Sequence, residues 1–358
     1  MMSLEGTAPV RTFSIGFSEK EYDEVHFARQ VAERYGTKHE EMVVEPKALE
    51  VLPKLIWHYN EPFADPSSVP TYYVSQLTRR HVTVALSGDG GDEAFAGYTR
   101  YVPNRRVGSY LLLPRFLRER VIRRLTEILP HSPAPGSFLN RLRRFTASVD
   151  SSRERQYVRS VGFFSNELKG VIYSPEFAST MEGNDSIGFI EALYDSAMAS
   201  SFLDRTLSVD VHSYLPDDIL VKVDIASMAN SLETRSPFLD HVLMEFAARC
   251  PVDLKMRHSD GKYLVKKAME PYLPRDVIRR EKMGFGMPVA EWFREDLREM
   301  AYDVLLSSRA LSRGYFRKEG VKGLLDEHVA GGQDHAYRLW ALLFLELWFR
   351  RFIDGDAT

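Results

Sequence analysis

A glycine-rich acidic segment, Leu86–Glu93 (LSGDGGDE), directly follows a run of residues with strong β-propensity. Its three glycines allow positive φ angles and let backbone N–H groups approach a ligand closely. These N–H groups and the Ser87 hydroxyl are suited to bind phosphate oxygens where the next helix begins. The carboxylates of the segment would repel a bare phosphate, so the pattern predicts a Mg²⁺ ion between them and a nucleotide. The alternative is a solvated turn in which Asp and Gly serve only turn geometry.

Two further segments concentrate charge. Lys222–Asp224 and Ser231–Asp240 (SLETRSPFLD) alternate opposite charges beside apolar residues, which indicates buried ion pairs, and an ion-pair network at a helix end is the plainer interpretation. Arg279–Pro288 (RREKMGFGMP) contains glycine and proline around Lys282, which is typical of a loop that presents a cation to a polyphosphate. The alternative for this segment is a basic surface loop.

Strands and helices alternate over the first hundred residues and would position the first of these segments. The predicted order is strand Thr12–Phe17, helix 21–35, strand His39–Val44, helix 47–58, helix Pro70–Arg80 and strand 81–86. This alternation predicts an α/β fold with a parallel sheet and flanking helices. Ligands of such sheets bind at the carboxyl ends of strands, where Leu86–Glu93 would lie.

Beyond about Pro103 the sequence becomes mostly helical. The predicted helices are 111–129, 139–148, 187–203, 206–214, 217–232, 238–249, 261–270, 295–306, 316–329 and 335–352. We therefore predict an α/β region over 1–103 and a mostly helical region over 104–358. Within the latter, 215–290 would contribute to the active site.

Composition excludes several classes of function. The chain has 358 residues, with 47 Lys plus Arg against 50 Asp plus Glu and a formal net charge of -3, so no global field favours nucleic acid. The arginines between 115 and 144 are best explained as a solvated helical surface. No apolar run is long enough to span a membrane, and the ten histidines show no metal-ligand spacing. The single cysteine, Cys250, predicts a reducing, cytoplasmic location.

Taken together, these segments resemble the synthetase domain of glutamine-dependent asparagine synthetase. The matching stretches, in the family's order, are Thr12–Phe17, Asn60–Tyr72, Leu86–Tyr98, Lys222–Asp240 and Arg280–Pro288. The resemblance implies an adenine nucleotide alpha hydrolase-like fold of the PP-loop ATP pyrophosphatase type. It also implies an ATP-dependent amide ligase with ATP and Mg²⁺ as cofactors. In that family, the aspartate side chain is activated as β-aspartyl-AMP and then aminated by ammonia derived from glutamine.

The resemblance gives particular residues roles at the nucleotide. Ile15 and Gly16 lie on a strand similar to the one whose backbone reads adenine. Ser87, Gly88 and Asp89 match positions that line the pocket for ATP and the aspartyl-adenylate, and Asp89 is also implied as a catalytic residue.

Other matched residues would act on the metal, the phosphates and the acceptor. Asp92 matches the family's Mg²⁺ ligand in this loop, and Tyr98 matches a tyrosine of the pocket. Lys282 matches a lysine that contacts the phosphates, where it would stabilise charge on the departing pyrophosphate. Glu233 and Arg235 belong to a motif that walls the acceptor pocket, and the resemblance implies catalytic roles for both.

The sequence departs from the family in three ways. The family's synthetase domain begins with a strand and a Ser-Gly-Gly-x-Asp-Ser pyrophosphate loop, and no such sequence occurs here. The glutaminase domain with its terminal cysteine is also missing, since position 2 is Met2 and Cys250 is internal. Ile225 stands where bacterial relatives commonly carry arginine. We therefore expect a chain truncated at its amino terminus, half of a split enzyme or a wrongly assigned start.

These departures define the expected partners and the alternatives. We expect activity to be impaired in the chain alone, with a separate glutaminase or amino-terminal segment as partner, and homodimer formation stays open. Neither nucleic acid nor a membrane is an expected partner. The alternatives are a non-catalytic nucleotide-binding remnant or subunit, and an amidotransferase that acts on a different carboxylate.

Overall fold

A computed structural model describes residues 2–17, 24–44, 48–102, 114, 117, 152–184, 186–280 and 286–356. The predicted helices 111–129 and 139–148 lie almost entirely outside these ranges, and so does Lys282. Among the described residues, no helix is long and apolar enough to cross a membrane.

The strands form small sheets. Strand β1 (Arg11–Phe17) pairs in parallel with β2 (Lys38–Val44), and β3 (Val84–Leu86) pairs in parallel with β4 (Glu233–Arg235). A short antiparallel hairpin, Met256–Arg257 with Asp260–Gly261, forms a third sheet. The predicted parallel pairing is therefore present, but within the described ranges it takes the form of two separate pairs and not one continuous sheet.

Helices make up most of the remaining described chain. Their bounds are Met2–Glu5, Val25–Tyr35, Ala48–Tyr59, Ser68–Arg79, Gly91–Phe95, Arg153–Val161, Asn166–Ile172, Pro175–Thr180, Ser186–Ser196, Phe202–His212, Val221–Met228, His241–Arg249, Val252–Lys255, Tyr263–Met269, Arg275–Arg279, Val289–Arg294, Arg298–Leu305, Ser308–Ser312, Lys318–Val329 and Ala336–Trp348. A 3₁₀ turn covers Pro237–Leu239, and π-helical turns cover Leu215–Leu220 and Phe349–Ile353.

Most of the elements predicted within the described ranges are confirmed, but there are several differences. The helix predicted over 187–203 ends at Ser196. Helices that were not predicted include Arg153–Val161, Asn166–Ile172, Pro175–Thr180 and Val289–Arg294. The strand predicted over 81–86 is shorter and begins only at Val84. The helix predicted over 217–232 ends at Met228, and β4 follows where no strand was predicted. The three residues of β4 are charged or polar and carry no strand periodicity, so only their pairing with β3 makes them a strand.

One hydrophobic core joins the two ends of the chain. The helix Ala336–Trp348 buries Leu339 and Trp340 and packs on Ala48–Tyr59 and Arg298–Leu305. The same cluster of buried side chains includes Ile15 and Phe17 of β1. Burial of each large apolar side chain contributes about 1.5–3 kcal/mol, so the helical end stabilises the strands near the amino terminus. The proposed domain boundary near residue 103 stays a prediction.

Candidate active site

A cavity of about 1290 Å³ is lined by residues of both parallel pairs. Its walls include Phe13 of β1, all of β3, the segment Ser87–Gly90 that follows β3, Thr234 of β4, and Lys222. The volume exceeds the roughly 300–1000 Å³ of most small-molecule sites. The cavity therefore has room for a nucleotide and more.

The glycine-rich segment Leu86–Glu93 and the charged segment Ser231–Asp240 are neighbours because β3 and β4 pair in parallel. Leu86 lies opposite Arg235, and Ser87 N donates a hydrogen bond to Arg235 O at 2.9 Å. One step further along, Ser236 Oγ donates to the carbonyl oxygen of Asp89 at 2.5 Å. The strand β4 and the residue after it thus hold the glycine-rich loop in place at the carboxyl end of β3.

The glycines of this loop differ in what they allow. Gly90 has φ +82°, and a Cβ there would overlap Leu239 Cδ2. A Cβ on Gly91 would touch the ring of Phe238 at 3.4 Å. At Gly88 an added Cβ would meet no atom within 4 Å, and this residue lines the cavity. Gly90 and Gly91 therefore let the loop pack on the turn after β4, whereas Gly88 leaves backbone open to a ligand.

We expect Gly90→Ala to lower the free energy of unfolding by about 2 kcal/mol, since it combines a left-handed backbone with overlap on Leu239. The matched control is Gly88→Ala, which should stay within about 0.5 kcal/mol of wild type because nothing opposes its Cβ. Urea titration of the two variants measures the difference. Equal midpoints for the two variants would contradict this account of the loop.

Asp92 is held next to the loop by Lys262. The Lys262 Nζ lies 3.0 Å from Asp92 Oδ2, and a Cβ on Gly97 would overlap Asp92 Oδ1 and Lys262 Cε. Gly97 is thus the residue that leaves room for this ion pair. Over the part of the chain that the structure describes, no three His, Cys, Asp or Glu side chains form a metal cluster. Asp92 fits the way Mg²⁺ is commonly held in nucleotide sites, by one or two carboxylates together with phosphate oxygens and water.

An arginine between two tyrosines forms another wall of the cavity. The Arg100 guanidinium carbon lies 4.0 Å from the ring centre of Tyr98 and 4.4 Å from that of Tyr214. Asp210, which is 1% exposed, accepts a hydrogen bond from Arg100 Nη2 at 2.9 Å. Tyr98 also donates to Glu93 Oε1 at 2.5 Å, while burial raises the pKa of Glu93. Cation–π contacts and ion pairing therefore fix a positive charge beside Tyr98.

A buried cluster of Lys222 with two carboxyl groups forms a further wall. Lys222 Nζ lies 2.7 Å from Asp65 Oδ2, and Asp65 also accepts hydrogen bonds from Ser67 N at 2.9 Å and from Ser67 Oγ at 2.6 Å. Burial opposes ionisation of Asp65, but the Lys222 ammonium and the Ser67 donors outweigh it and lower the pKa of Asp65. Burial and, secondly, the negative charge of nearby Asp65 raise the pKa of Asp218 to about 7.

The cluster makes stability depend on pH. Because the pKa of Asp218 rises from about 4 in the unfolded chain to about 7, the folded state binds more protons between these values. Stability should therefore fall as the pH rises from about 4 to 7, by up to about 4 kcal/mol. The lowered pKa of Asp65 acts in the opposite sense and only below about pH 4.

We expect Asp218→Asn to remove this part of the pH dependence. Urea unfolding of wild type and variant at pH 5 and pH 7.5 measures the change in slope. The matched control is Asp217→Asn, since Asp217 is the neighbouring residue and is exposed. A slope unchanged by Asp218→Asn, or reduced equally by both substitutions, would argue against the assignment.

The predicted site residues fall into three groups. The first group lines the cavity and consists of Ser87, Gly88, Asp89, Asp92 and Tyr98.

The second group does not line the cavity. Ile15 and Gly16 of this group are buried in β1, whereas Phe13 on the same strand is a lining residue. Glu233 and Arg235 are not lining residues either; they pair with each other at 2.6 Å, and their side chains are exposed. Their roles at the nucleotide and the acceptor stay predictions.

Lys282 forms the third group, since it lies outside the described ranges. Gly286, four positions after Lys282 and the first described residue beyond it, lines the cavity.

Sequence reasoning missed Asp65, Asp218, Arg100 and Tyr214. Lys222 was noted only as a member of an ion-pair segment, and its carboxylate partner lies 157 positions earlier in the chain. The stretch around Asp65 did match the family, which was the one available signal. No local pattern connects residues that meet only after the helices pack.

Comparison with known proteins agrees with these observations. The family model described as asparagine synthase matches residues 1–350. The chain is 30% identical over 343 residues to asparagine synthetase (glutamine-hydrolysing) 1 of Bacillus subtilis (strain 168), a match of 95% of this chain and 52% of the relative. It is 34% identical over 352 residues to a putative asparagine synthetase (glutamine-hydrolysing) of Mycobacterium tuberculosis (strain ATCC 25618 / H37Rv). This match covers 97% of this chain and 51% of the relative.

A more distant similarity is to the protein named amidase chyE of Penicillium rubens, 23% identical over 307 residues, covering 79% of this chain and 44% of that protein. The chain spans about half the length of the curated relatives it matches. The family match extends over both parallel pairs, the glycine-rich loop and most of the helical remainder. The chain therefore belongs to the asparagine synthase family.

Proposed function

We propose that this chain is the ATP-using part of an amide ligase of the asparagine synthetase type. In the proposed reaction, ATP activates the side-chain carboxylate of aspartate as β-aspartyl-AMP, and ammonia derived from glutamine then displaces AMP. The observation that carries the proposal is the loop Ser87–Gly90 at the carboxyl end of β3, which opens with Asp92 of the following helix into a cavity of about 1290 Å³. Membership of the asparagine synthase family supports it.

The residues of the cavity have complementary tasks in this proposal. Ser87 and the backbone at Gly88 bind phosphate oxygens, because no side chain blocks the approach at Gly88. Asp92 would hold Mg²⁺ after giving up its contact with Lys262, and the ion would neutralise phosphate charge. Lys282 would stabilise charge on the departing pyrophosphate, and Gly286, four positions later in the sequence, lines the cavity.

The positive and negative groups of the wall suit an amino-acid acceptor. Arg100 is paired with Asp210, and Asp65 is paired with Lys222, so each pair could exchange its partner for the carboxylate or the ammonium group of a bound amino acid. An α-amino acid carries both charges, which favours aspartate over a simple carboxylic acid. The motif around Glu233 and Arg235 is assigned to the acceptor side by resemblance alone.

The test is ATP–pyrophosphate exchange that depends on aspartate, followed by asparagine formation from added ammonium. We expect little exchange by this chain alone, since it contains no Ser-Gly-Gly-x-Asp-Ser sequence, and clear exchange when the part of a relative that it does not match is supplied. In that assembly Asp92→Asn should reduce exchange strongly. Ordinary exchange by the chain alone would disprove the impairment, and no exchange by a formed assembly would favour a non-catalytic remnant. Exchange with another carboxylate only would identify a different acceptor.

A further inference from the structure

Two histidines that the proposed reaction does not use are buried in the helical part of the chain. His328 is 0% exposed and His335 is 3% exposed. His328 lies in the last turn of the helix Lys318–Val329, and His335 immediately precedes the helix Ala336–Trp348. Burial of a polar ring costs free energy unless its nitrogens are hydrogen-bonded, so the partners of both rings indicate what the rings do.

The two partners of the His328 ring determine which nitrogen carries the proton. The backbone N–H of His335 lies 3.0 Å from Nδ1, and a backbone N–H can only donate. Nδ1 is therefore the acceptor, and Nε2 carries the proton and donates it to Ala290 O at 3.0 Å. Asp334 Oδ1 lies 3.5 Å from Nδ1 and accepts a hydrogen bond from Ala336 N at 2.9 Å.

The ring of His335 is held in the same tautomer. Arg338 Nη1 lies 2.6 Å from its Nδ1, and a guanidinium can only donate, so Nδ1 is again the acceptor. Nε2 then carries the proton and donates it to Glu327 Oε2 at 2.9 Å. A proton on Nδ1 would place one N–H against another, so this set of hydrogen bonds requires a neutral imidazole.

Arg338 extends the series of hydrogen bonds to a wall of the cavity. Its Nε donates to Phe163 O at 2.7 Å. The ring of Phe163 stacks on that of Tyr337, with 5.3 Å between ring centres and 30° between ring planes. Phe163 and Tyr337 both line the cavity, and together they form its aromatic wall.

Ala290 lies at the opposite end of this series of hydrogen bonds. It belongs to the helix Val289–Arg294, and Gly286, four residues earlier, lines the cavity. Arg294 Nε also donates to His328 O at 3.4 Å, so two hydrogen bonds hold this helix to His328. The hydrogen bonds therefore run from the side of the cavity next to Gly286 to the aromatic wall.

We propose that His328, His335 and Arg338 are positioning residues that hold the Gly286 side and the aromatic wall of the cavity in one fixed arrangement. None of the three is a lining residue, so each acts through the residue that it holds. The arrangement requires both imidazoles to be neutral, with the proton on Nε2. The inference rests on the proposed function only for what the cavity binds. The rival is a purely structural role, in which the histidines stabilise the helices without affecting the cavity.

Two substitutions of His328 separate the two hydrogen bonds of its ring. His328→Gln brings an amide nitrogen to the position of Nε2, so it keeps the donor to Ala290 O and loses the acceptor on the other side. His328→Asn brings a carbonyl oxygen near the position of Nδ1, so it keeps the acceptor for His335 N and loses the donor.

Hydrogen exchange of the full chain measures the two losses separately. We expect the amides of Val289 and Trp292 to exchange about tenfold faster in His328→Asn and to stay near wild type in His328→Gln. The amide of His335 should show the reverse pattern. In the unsubstituted chain, the ¹⁵N chemical shifts of both imidazoles should be those of neutral rings with the proton on Nε2.

Kinetics of the assembled ligase test whether the cavity depends on these bonds. His328→Asn should raise KM for ATP or for aspartate by about fivefold or more with kcat changed much less, because the walls bind substrate and transition state alike. His328→Gln should restore most of this loss, and Arg338→Met, which removes the bond to Phe163 O, should resemble His328→Asn. The control is Lys255→Met, since Lys255 is 2% exposed, pairs with Asp204 and does not line the cavity.

Three results would overturn the proposal. Equal exchange at Val289 and Trp292 in the two His328 variants would show that the bond to Ala290 does not fix the helix. The ¹⁵N shifts of a protonated His328, which would pair with Asp334, would contradict the neutral ring. KM values as in Lys255→Met would leave a structural role only. An assembly without any ligase activity would reject the proposed function, and the hydrogen-exchange pattern would still decide whether His328 fixes the helix beside Gly286.

Discussion

Lys222→Met should lower the free energy of unfolding by about 3–5 kcal/mol at pH 7.5, because it removes one partner of a buried ion pair. Lys222 lies 2.7 Å from Asp65, and the two side chains are only 10% and 17% exposed. Methionine keeps the length of the side chain but leaves the Asp65 carboxylate without its cation. A domain of ordinary stability has about 5–15 kcal/mol, so the variant approaches global unfolding.

Two comparisons make this expectation specific to the buried charge. The loss should shrink toward pH 5, because in the variant, which lacks the Lys222 cation, protons can neutralise the carboxyl groups of Asp65 and Asp218. The matched control is Lys267→Met, since Lys267 forms an ion pair of the same length with Glu270 at half-exposed positions and should change stability little. Urea unfolding at the two pH values measures both variants. Similar losses of unfolding free energy for both variants would show that burial does not increase the contribution of the Lys222 ion pair to stability.

Lys282→Ala should depress kcat of the assembled ligase by on the order of 10²-fold, as does removal of one donor from an oxyanion hole. The physical reason is that negative charge grows on the α-phosphate and on the departing pyrophosphate only as the reaction proceeds. An ammonium that opposes this charge binds the transition state more strongly than the ground state, so kcat falls and KM for ATP changes much less. Gly286, which is four positions after Lys282 in the sequence, lines the cavity.

Steady-state kinetics on two further variants complete this experiment. Lys282→Arg should restore activity only in part, because a planar guanidinium does not replace a compact ammonium. Lys266→Ala is the control, since Lys266 pairs with Asp260 and is not among the residues that line the large cavity. An unchanged kcat in Lys282→Ala would remove this lysine from the site.

The sequence was most informative where chemistry is local. The loop Leu86–Glu93 could be recognised because glycines, a serine and carboxylates follow a strand within a few positions. The strand at Thr12–Phe17 could be recognised because it is apolar and buried, and the structure confirms it as Arg11–Phe17. Family membership followed from the order of such local segments. Each of these inferences needed only neighbouring residues.

The orientation of side chains in β4 shows where local reasoning ends. Glu233, Thr234 and Arg235 were predicted together as part of a motif, yet only Thr234 lines the cavity. Alternation along a strand sends the two charged residues to the opposite face from Thr234, where they pair with each other. The sequence could not reveal this, because β4 becomes a strand only by pairing with β3.

The sequence by itself determined the family, the glycine-rich acidic loop after a strand and the alternation of strands and helices at the amino-terminal end. Only the tertiary structure decided that Asp65, Asp218 and Lys222 share one buried cluster and that β1 and β3 flank a common open space. The physical reason is distance along the chain. Local propensity acts over a few residues, whereas the partners of Lys222 and of β3 lie about 150 positions away and meet only when the hydrophobic core joins both ends of the chain.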